Sequence, residues 1–470
     1  MGHSRCVIFL FDGARFDVFA DLLRADKLPN IKRHVLADGT FLKAYSSLPT
    51  TTGPAHIPFL YGVYPGKAGI PGIRWFDKTK AKRMFTTNSS IRSYVGTGCF
   101  SMGTDIGESY VPLYDYFSRP TNIFGHLDRN HNVKMKSNRF QKVWYYLHAH
   151  HTNEWEVVDY IAAQSARRCV EKGVDFVFSL FPGIDEITHL CHPTHERVLS
   201  QYCRLDGLVG EVFHGLSNEE VRQILFFIVS DHGLTSTHTH IPLVGLSEEA
   251  GYSPIYYPRI RRLNYDMAIL ESGNALASVY FMKPVGDRPA FYDELGRVDK
   301  NRRFIARLLH HEGIDFVAYR VDDSVLGVRN LHGELVMDFN ESGYVRLAAS
   351  GENPLQFGLD ECRVAVNETI NLTKNTNYPD SVVQIRQLFA SNRTGDLVVF
   401  PKDGFDLRAK YEWPEHKSSH GSLLKANMEV PICTNLKLKS TWCRTVDVFP
   451  TILEDLGHIV PDNIDGQVIQ

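Results

Sequence analysis

An uninterrupted apolar run near the middle of the chain ends abruptly at a carboxylate and an imidazole. Residues 226–229 (Phe-Phe-Ile-Val) are followed directly by Ser230, Asp231, His232 and Gly233. Parallel strands that are covered on both faces read as such continuous apolar runs. In open α/β sheets, ligands bind just beyond the carboxyl ends of these strands. We therefore predict a buried strand that places Asp231 and His232 at the functional edge of a sheet.

Two other stretches share this design, although Asp-His-Gly alone would fit an ordinary turn equally well. Apolar residues 7–11 run into Asp12, and residues 176–180 run into a loop that carries Asp185 and His189. Asp185 and His189 are four positions apart, so they share one face if they lie on a helix. Three strand ends would then present three carboxylates and two imidazoles, which are common metal ligands.

The composition is that of an ordinary globular protein. The 470 residues, 43% hydrophobic and 22% charged, suffice for one large core with insertions or for two domains. A net charge of −3 provides no overall attraction for nucleic acid, so no nucleic-acid binding is expected. No run approaches the roughly 18 apolar residues of a transmembrane segment. The apolar segment after Met1 is too short for a secretory signal. The eight cysteines are scattered, which is typical of reduced thiols, and predict a cytoplasmic protein.

A loop rich in threonine and proline supplies candidate nucleophiles. Thr50, Thr51 and Thr52 are consecutive, and Pro54 suits the first turn of a helix. A hydroxyl at a helix N-terminus lies in a positive dipole field, which would stabilise an alkoxide and a bound phosphate. Taken alone, the stretch is explained more simply by a threonine that only caps the helix.

Alternating apolar strands and amphipathic helices predict a doubly wound α/β fold with a mostly parallel central sheet. The core would take residues 1–245, with a substrate-side insertion at about 95–150. We expect a smaller inserted α+β section at 246–380. Residues 381–470 would return to the core with the last metal ligand and a C-terminal helix, and residues 395–400 resemble a returning core strand.

Helices are predicted beside the strand that precedes Asp185. Residues 154–171 would lead into this strand, and residues 194–216 would follow it, since both stretches show amphipathic spacing. Residues 302–311 form the strongest helical pattern of the smaller section.

Together these motifs resemble the alkaline phosphatase superfamily, closest to its nucleotide pyrophosphatase/phosphodiesterase (type I phosphodiesterase) branch. In chain order they are Asp12-Gly, Thr52-Gly-Pro-Ala-His, Asp185-x-x-x-His189, Ser-Asp231-His232-Gly, Ser-His420-Gly and a closing Asp-x-x-Pro-Thr-x-Leu run. Each motif is weak alone, but the ordered set covers nearly the whole chain. The resemblance implies a metal-dependent hydrolase of phosphate esters.

The resemblance also implies two metal ions, which we expect to be zinc. One ion would be held by Asp185, His189 and His420. The other would be held by Asp12, Asp231, His232 and the Thr52 oxygen. Carboxylate and imidazole ligands with an open position are typical of catalytic zinc. Mn²⁺ is the alternative, because it accepts similar ligands.

The family pattern also selects the nucleophile. It places the nucleophile two residues before the proline and four before a His or Asn, which implies Thr52. Competing imidazoles are His416 for the position of His420, and His238 and His240 for that of His232. These three lack the strand-end or Ser-His-Gly setting, and a histidine at a pocket rim is usually solvated.

The chain departs from the phosphodiesterase branch where the phosphate is bound. Ala55 and Ile73 stand where that branch has asparagines, and Ala68 replaces a common histidine. Arg74 is the natural substitute for these asparagines as a phosphate contact, because a guanidinium can bind two phosphate oxygens at once. A structural ion pair between Arg74 and a loop carboxylate is the alternative.

We therefore predict a hydrolase of small-molecule phosphate esters, preferably diesters, that works through a phosphorylated Thr52. A phosphomonoesterase or phosphonate hydrolase on the same scaffold is the rival within enzymes. A binding protein that has kept the fold but lost catalysis is the rival from another class. Aromatic residues near Trp75 would suit a base, a lipid tail or an aryl group equally.

Overall fold

The structure is a computed structural model that describes residues 2–80, 90–129, 136–261, 264–283, 286–358, 361–411 and 414–470. The strands of these residues are β1 Arg5–Phe11, β2 Thr40–Tyr45, β3 Arg74–Phe76, β4 Ile91–Ser93, β5 Pro120–Ile123, β6 Lys136–Ser137, β7 Phe176–Phe181, β8 Ile224–Val229, β9 Thr235–His240, β10 Pro254–Ile255, β11 Met267–Glu271, β12 Ala277–Phe281, β13 Ile314–Arg320, β14 Val325–Arg329, β15 Gly333–Asp338, β16 Tyr344–Gly351, β17 Glu361–Ala365, β18 Leu397–Pro401, β19 Gly404–Asp406, β20 Ser418–Ser419, β21 Glu429–Thr434 and β22 Trp442–Arg444.

The α-helices of the same residues are α1 Phe16–Arg24, α2 Pro29–His34, α3 Ile57–Tyr61, α4 Met102–Asp105, α5 Arg139–Thr152, α6 Trp155–Glu171, α7 Gly183–Leu190, α8 Glu196–Phe213, α9 Asn218–Arg222, α10 Leu243–Glu249, α11 Tyr292–Gly296, α12 Asp299–Leu309, α13 Ile370–Thr373, α14 Ser381–Phe389, α15 Lys425–Met428 and α16 Val448–Asp455. None of the helices in these parts of the chain is long and apolar enough to cross a membrane.

The first of two large sheets has eight strands in the order β22-β2-β21-β8-β1-β7-β5-β6. Its central strands β8, β1 and β7 are parallel. Nearly all of their side chains are buried, as expected for parallel strands that are covered on both faces. The predicted α/β fold with a mostly parallel central sheet is confirmed.

The spacing of apolar residues explains how the helices around β7 pack. Helix α6 buries Val158, Ala162, Ala166 and Val170, which are four positions apart and therefore line one face. This helix packs on β7, and α8 packs on α6. Both predicted helices are present, although α8 is shorter than the predicted range. Its N-terminus is capped by His195, whose side chain accepts a hydrogen bond from the backbone amide of Arg197.

A second sheet has nine strands in the order β10-β11-β12-β18-β13-β14-β15-β16-β17. All its pairings are antiparallel except that of β10 with β11. The predicted helix at 302–311 is α12, which lies against β13. Its buried side chains include Phe304 and Leu308.

The interpretation of residues 395–400 as a returning core strand was wrong. Strand β18 lies in the middle of the nine-stranded sheet, between β12 and β13. Leu397 and Val399 pack in one apolar cluster beside this sheet, while Val398 and Phe400 pack in another. A strand buried on both faces has the same apolar sequence in either sheet, so the pattern could not assign it.

A small three-stranded sheet in the order β19-β9-β20 lies beside the site. Strand β9 begins shortly after Gly233, and β20 ends at the residue before His420. Ser418 pairs with Ser236 and Ser419 with Thr235. This pairing brings the His420 loop to the carboxyl end of β8, although the two segments are far apart in sequence.

Candidate active site

The three predicted carboxylates lie at adjacent strand ends. Asp12 follows β1, Asp231 lies two residues after the end of β8, and Asp185 lies on α7 after β7. The backbone amide of Asp185 donates to the carbonyl of Asp12 across 3.1 Å. Gly13 has φ of 75°, and an added Cβ would lie 2.8 Å from the Cα of Asp185. Only glycine therefore lets the two loops approach so closely.

One group of candidate ligands consists of Asp185, His189 and His420. Helix α7 places Asp185 and His189 on one face, with 3.4 Å between Asp185 Oδ2 and His189 Nε2. The Nε2 atom of His420 lies 3.9 Å from Asp185 Oδ1. One ligand atom from each residue lies within 4.8 Å of the other two, and all three residues are buried.

The hydrogen bonds of the two histidines fix their protonation pattern. His189 Nδ1 lies 2.9 Å from the carbonyl oxygen of Ser418, and His420 Nδ1 lies 2.9 Å from that of Thr50. A carbonyl oxygen only accepts, so each Nδ1 carries the hydrogen. Each Nε2 therefore faces Asp185, and it would offer its lone pair to a cation bound between them, as metal-binding histidines do.

A second group surrounds the Thr52 hydroxyl. Thr52 Oγ1 lies 3.1 Å from Asp12 Oδ1 and 3.1 Å from His232 Nε2. His232 Nε2 lies 3.4 Å from Asp12 Oδ1 and 3.4 Å from Asp231 Oδ2. The rings of His232 and His420 stack with centroids 4.0 Å apart, so the two groups adjoin.

The structure distinguishes the three consecutive threonines. Thr50 Oγ1 donates to the carbonyl of Ser422 and accepts from the amide of Gly421, so it is used within the fold. Thr51 Oγ1 is buried without a hydrogen-bond partner among the described residues. Only the hydroxyl of Thr52 contacts the candidate ligands.

A short helical segment begins two residues after Thr52. Pro54 begins a 3-10 turn, Pro54–His56, that continues into the five-residue helix α3. The predicted helix start at Pro54 is present, and the Thr52 hydroxyl is positioned by its contacts with Asp12 and His232.

His56 is a member of the site to which the sequence assigned no role. Its Nε2 atom lies 3.1 Å from Asp231 Oδ2, and both side chains are fully buried. Together with Asp12, these two residues form a third group with metal-ligand spacing. The available signal was its place four residues after Thr52, which we used only to select the nucleophile.

The electrostatics of the site favour bound cations. Burial raises the pKa of Asp12 well above its usual value, and Asp231 and Asp185 add to this effect. Burial acts in the same direction on Asp185, but His189 overcomes it and holds the pKa of that carboxyl well below its usual range. Burial would lower the pKa of His189, but Asp185 raises it to about 9.

The residues present therefore fit a pair of metal ions. Three buried carboxylates converge, and Asp185 Oδ1 has no hydrogen-bond partner among the described residues. Divalent cations would neutralise this concentration of negative charge, and carboxylates with imidazoles suit zinc or manganese.

A cavity of about 400 Å³ opens beside Thr52. Lys142 on α5 lines it and is only 5% exposed, and its Nζ lies beside Cys99 and 5.2 Å from the centre of the Tyr146 ring. Burial lowers the pKa of Lys142, while Cys99 and Asp12 act in the opposite direction. Lys142 was not predicted from the sequence, because a single lysine on an amphipathic helix is usually a surface residue. A larger cavity of about 580 Å³ involves none of these residues.

Arg74 also lines the cavity at its buried end. Its guanidinium donates to the carbonyl of Glu271 across 3.4 Å and lies over the ring of Tyr257 at 4.7 Å. The location fits a phosphate contact, which stays a prediction.

None of the three competing histidines belongs to a group with metal-ligand spacing among the described residues. His416 stacks on His189 with centroids 4.1 Å apart and lines the cavity. His240 is held by Asp406 and Glu415 at 2.8 and 3.2 Å. His238 lies on the same strand, β9, at the exposed side.

Fold, site and family match together define a hydrolase of phosphoric esters. The profile described as Type I phosphodiesterase / nucleotide pyrophosphatase matches residues 6–423, and the chain belongs to this family. No curated protein sequence matches the chain.

Solved structures share the fold at low sequence identity. Murine ectonucleotide pyrophosphatase / phosphodiesterase 5 is 12% identical, with a TM-score of 0.58, over 98% of this chain and 97% of that one. Phosphonoacetate hydrolase from Sinorhizobium meliloti, in complex with phosphonoformate, is 13% identical with a TM-score of 0.52, over 97% and 96%. The alkaline phosphatase PafA is 14% identical with a TM-score of 0.60, over 100% and 99%.

Proposed function

We propose that this enzyme hydrolyses small-molecule phosphate esters, diesters preferentially, by attack of the Thr52 hydroxyl on phosphorus beside two zinc ions. The observation that carries the proposal is the position of Thr52 Oγ1, 3.1 Å from both Asp12 Oδ1 and His232 Nε2. A hydroxyl becomes a nucleophile when neighbouring groups favour loss of its proton. We also propose a cytoplasmic location, supported by eight free cysteines.

The candidate ligands divide into two sets. Asp185, His189 and His420 would hold one ion. Asp12, Asp231, His232 and the Thr52 oxygen would hold the other, with His56 orienting Asp231. Ions bound there would supply positive charge to the phosphate oxygens and lower the pKa of the Thr52 hydroxyl.

The chain's own residues outline two chemical steps. Thr52 Oγ1 forms a bond to phosphorus and the alcohol of the ester leaves, giving a phosphothreonine. Water then attacks that phosphorus, and Thr52 regains its proton as phosphate or a phosphate monoester departs. Asp12 accepts the hydrogen bond of the Thr52 hydroxyl, which fixes the direction of attack.

A phosphomonoesterase or phosphonate hydrolase is the second candidate. The buried Lys142 supports it, because this amine has no carboxylate at ion-pair distance among the described residues, and a substrate with an additional negative charge would compensate it. The structural similarity to phosphonoacetate hydrolase supports only the shared scaffold.

Activity of the metal-loaded enzyme on bis-nitrophenyl phosphate and on mono-nitrophenyl phosphate tests both candidates. We expect turnover of both esters, with the larger kcat/KM for the diester. A larger value for the monoester would replace the first candidate by the second. Elemental analysis that found fewer than two metal ions per chain after full loading would contradict the two-metal assignment.

A further inference from the structure

Lys142 and Tyr146 of helix α5 both line the cavity that contains Thr52. They are four positions apart, so they lie on one face of the helix. Lys142 Nζ is 5.2 Å from the centre of the Tyr146 ring. Burial lowers the pKa of Lys142 and raises that of Tyr146, and the charge of Asp12 acts on both. Both groups therefore lie within electrostatic range of the candidate ligands, and we call the two residues the α5 pair.

The ammonium group of Lys142 lacks a partner of opposite charge. No carboxylate lies at ion-pair distance from it among the described residues, although the side chain is only 5% exposed. Asp128, which also acts on its pKa, is already bound to Arg139 at 2.5 and 2.7 Å. Burial raises the pKa of the neighbouring Cys99 thiol, so this sulfur supplies no negative charge. A buried cation without a counterion costs free energy, which an anionic ligand would recover.

The hydroxyl of Tyr146 is a second donor at the same place. Its oxygen is buried and has no hydrogen-bond partner among the described residues. The ring is held by contacts with Phe124 and Trp155, at centroid distances of 6.1 and 5.5 Å. Burial raises the pKa of Tyr146 well above its usual value, so the hydroxyl keeps its proton and can donate. Buried polar groups are normally hydrogen-bonded, so an unpaired one in a cavity wall indicates a ligand.

The α5 pair is separate from the position expected for the reacting phosphate. Thr52 Oγ1 is contacted by Asp12 and His232, and the α5 pair belongs to none of the groups with metal-ligand spacing. Other parts of the cavity wall are apolar, with the side chains of Ile73, Val95, Phe100, Val143 and Leu147. A ligand that reaches both Thr52 and the α5 pair would therefore have an apolar body and an anionic group away from phosphorus.

We propose that the α5 pair binds a carboxylate of the substrate, so that the enzyme prefers phosphate esters whose organic group carries a carboxylate. One charged and one neutral donor match the two oxygens of this group, and charge-assisted hydrogen bonds are among the strong ones. The substrate class rests on the proposed function, whereas binding of the carboxylate does not. A monoester would instead carry its additional charge on the reacting phosphoryl group, where Lys142 would act equally on ligands with and without a carboxylate.

Calorimetric binding of two phosphonates to the metal-loaded, full-length enzyme tests the proposal. The ligands are para-carboxybenzylphosphonate and para-carbamoylbenzylphosphonate, which have the same shape and differ by one negative charge. We expect the wild type to bind the carboxylate about tenfold more tightly than the carboxamide. Lys142→Met should remove this preference, whereas Lys142→Arg, which keeps the charge, should retain part of it.

The tyrosine provides a test that leaves the charge in place. Tyr146→Phe removes only the hydroxyl and should reduce the preference about threefold. Tyr145→Phe is the matched control, because Tyr145 is the neighbouring residue of α5 and lies outside the cavity wall, and it should keep the full preference. Turnover of bis-nitrophenyl phosphate measures the proposed function separately. Selective carboxylate binding without turnover of any phosphate ester would refute the hydrolase and leave the binding site in place.

Three outcomes would overturn the proposal. One is a wild-type enzyme that binds the two phosphonates equally or binds neither. Another is a Lys142→Met variant that loses the same affinity for both, since the ammonium group would then contact the phosphonate itself. The third is an unchanged preference in Tyr146→Phe together with failure of Lys142→Met to fold, because Lys142 would then be structural.

Discussion

The two sides of the cavity are built on different principles. The ligand wall (Asp12, Asp185, His189 and His420, with Asp231 and His232 buried behind them) lies at or beside the ends of central parallel strands. The substrate wall (Arg74, Phe100, Lys142 and Tyr146) lies on β3, on α5 and on the segment before α4. Backbone carbonyls orient two of the histidines in the ligand wall, whereas Lys142 has no such partner among the described residues. On the proposed function, the ligand wall would supply the chemistry and the substrate wall would select the substrate.

The largest test of the ligand wall is Thr52→Ala. We expect kcat to fall by at least about a thousandfold, because no other hydroxyl contacts both Asp12 and His232 among the described residues. Steady-state kinetics and metal analysis should show lost turnover with both ions retained. Thr51→Ala is the matched control, since Thr51 lines the same cavity, and should retain most activity. Near-full activity of Thr52→Ala would refute the mechanism.

The next test divides the ligand wall into its two groups. His420→Ala should reduce bound metal from about two ions per chain to about one, and lower kcat/KM by about a hundredfold, because one ligand of the Asp185 group is removed. Elemental analysis after dialysis measures the loss. His416→Ala is the control, since this ring stacks on His189 outside the candidate groups, and should keep both ions. The opposite result would assign His416 as the ligand.

Lys142→Met sharpens the contrast between the two walls. Removing a buried charge that has no carboxylate partner among the described residues should raise the free energy of unfolding by about 1 kcal/mol while lowering kcat/KM about tenfold. Urea unfolding and kinetics measure the two effects. Lys78 is the matched control, because it is also buried but lies 2.7 Å from Asp396. Lys78→Met should lower the free energy of unfolding by about 3 kcal/mol. Destabilisation by both variants would mean that Lys142 is structural.

The smallest effect concerns the support of the ligand wall. Asp159 accepts hydrogen bonds from the amide of Gly183, at the start of α7, and from Gln201. Burial raises its pKa to about 7, against the hydrogen bonds, which lower it. The folded protein therefore holds this proton more tightly than the unfolded chain, so stability falls as the pH rises from about 4 through about 7.

Asp159→Asn should flatten this part of the stability profile. The difference between unfolding free energies at about pH 5 and about pH 8 should shrink by on the order of 2 kcal/mol relative to the wild type. Urea titrations at the two pH values measure it. An unchanged difference would show that Asp159 does not carry the pH dependence.

Much of the fold and of the candidate site could be predicted from the sequence. The apolar runs before Asp12 and Asp231 indicated buried parallel strands, and the four-residue spacing of Asp185 and His189 indicated one helix face. These signals are local and depend on backbone periodicity. The assignment of β18 failed because both sheets bury such a strand on two faces. His56 was missed because its contact with Asp231 joins residues far apart in sequence.

The ligand types and the strand ends that carry them follow from the sequence alone, because burial and periodicity depend on neighbouring residues. Tertiary structure alone decided that β20 carries His420 to the carboxyl end of β8, and that the helix bearing Lys142 covers the cavity. It also left Phe140, Trp144 and Leu147 of α5 open to solvent. These outcomes depend on packing between distant segments, which no local pattern specifies.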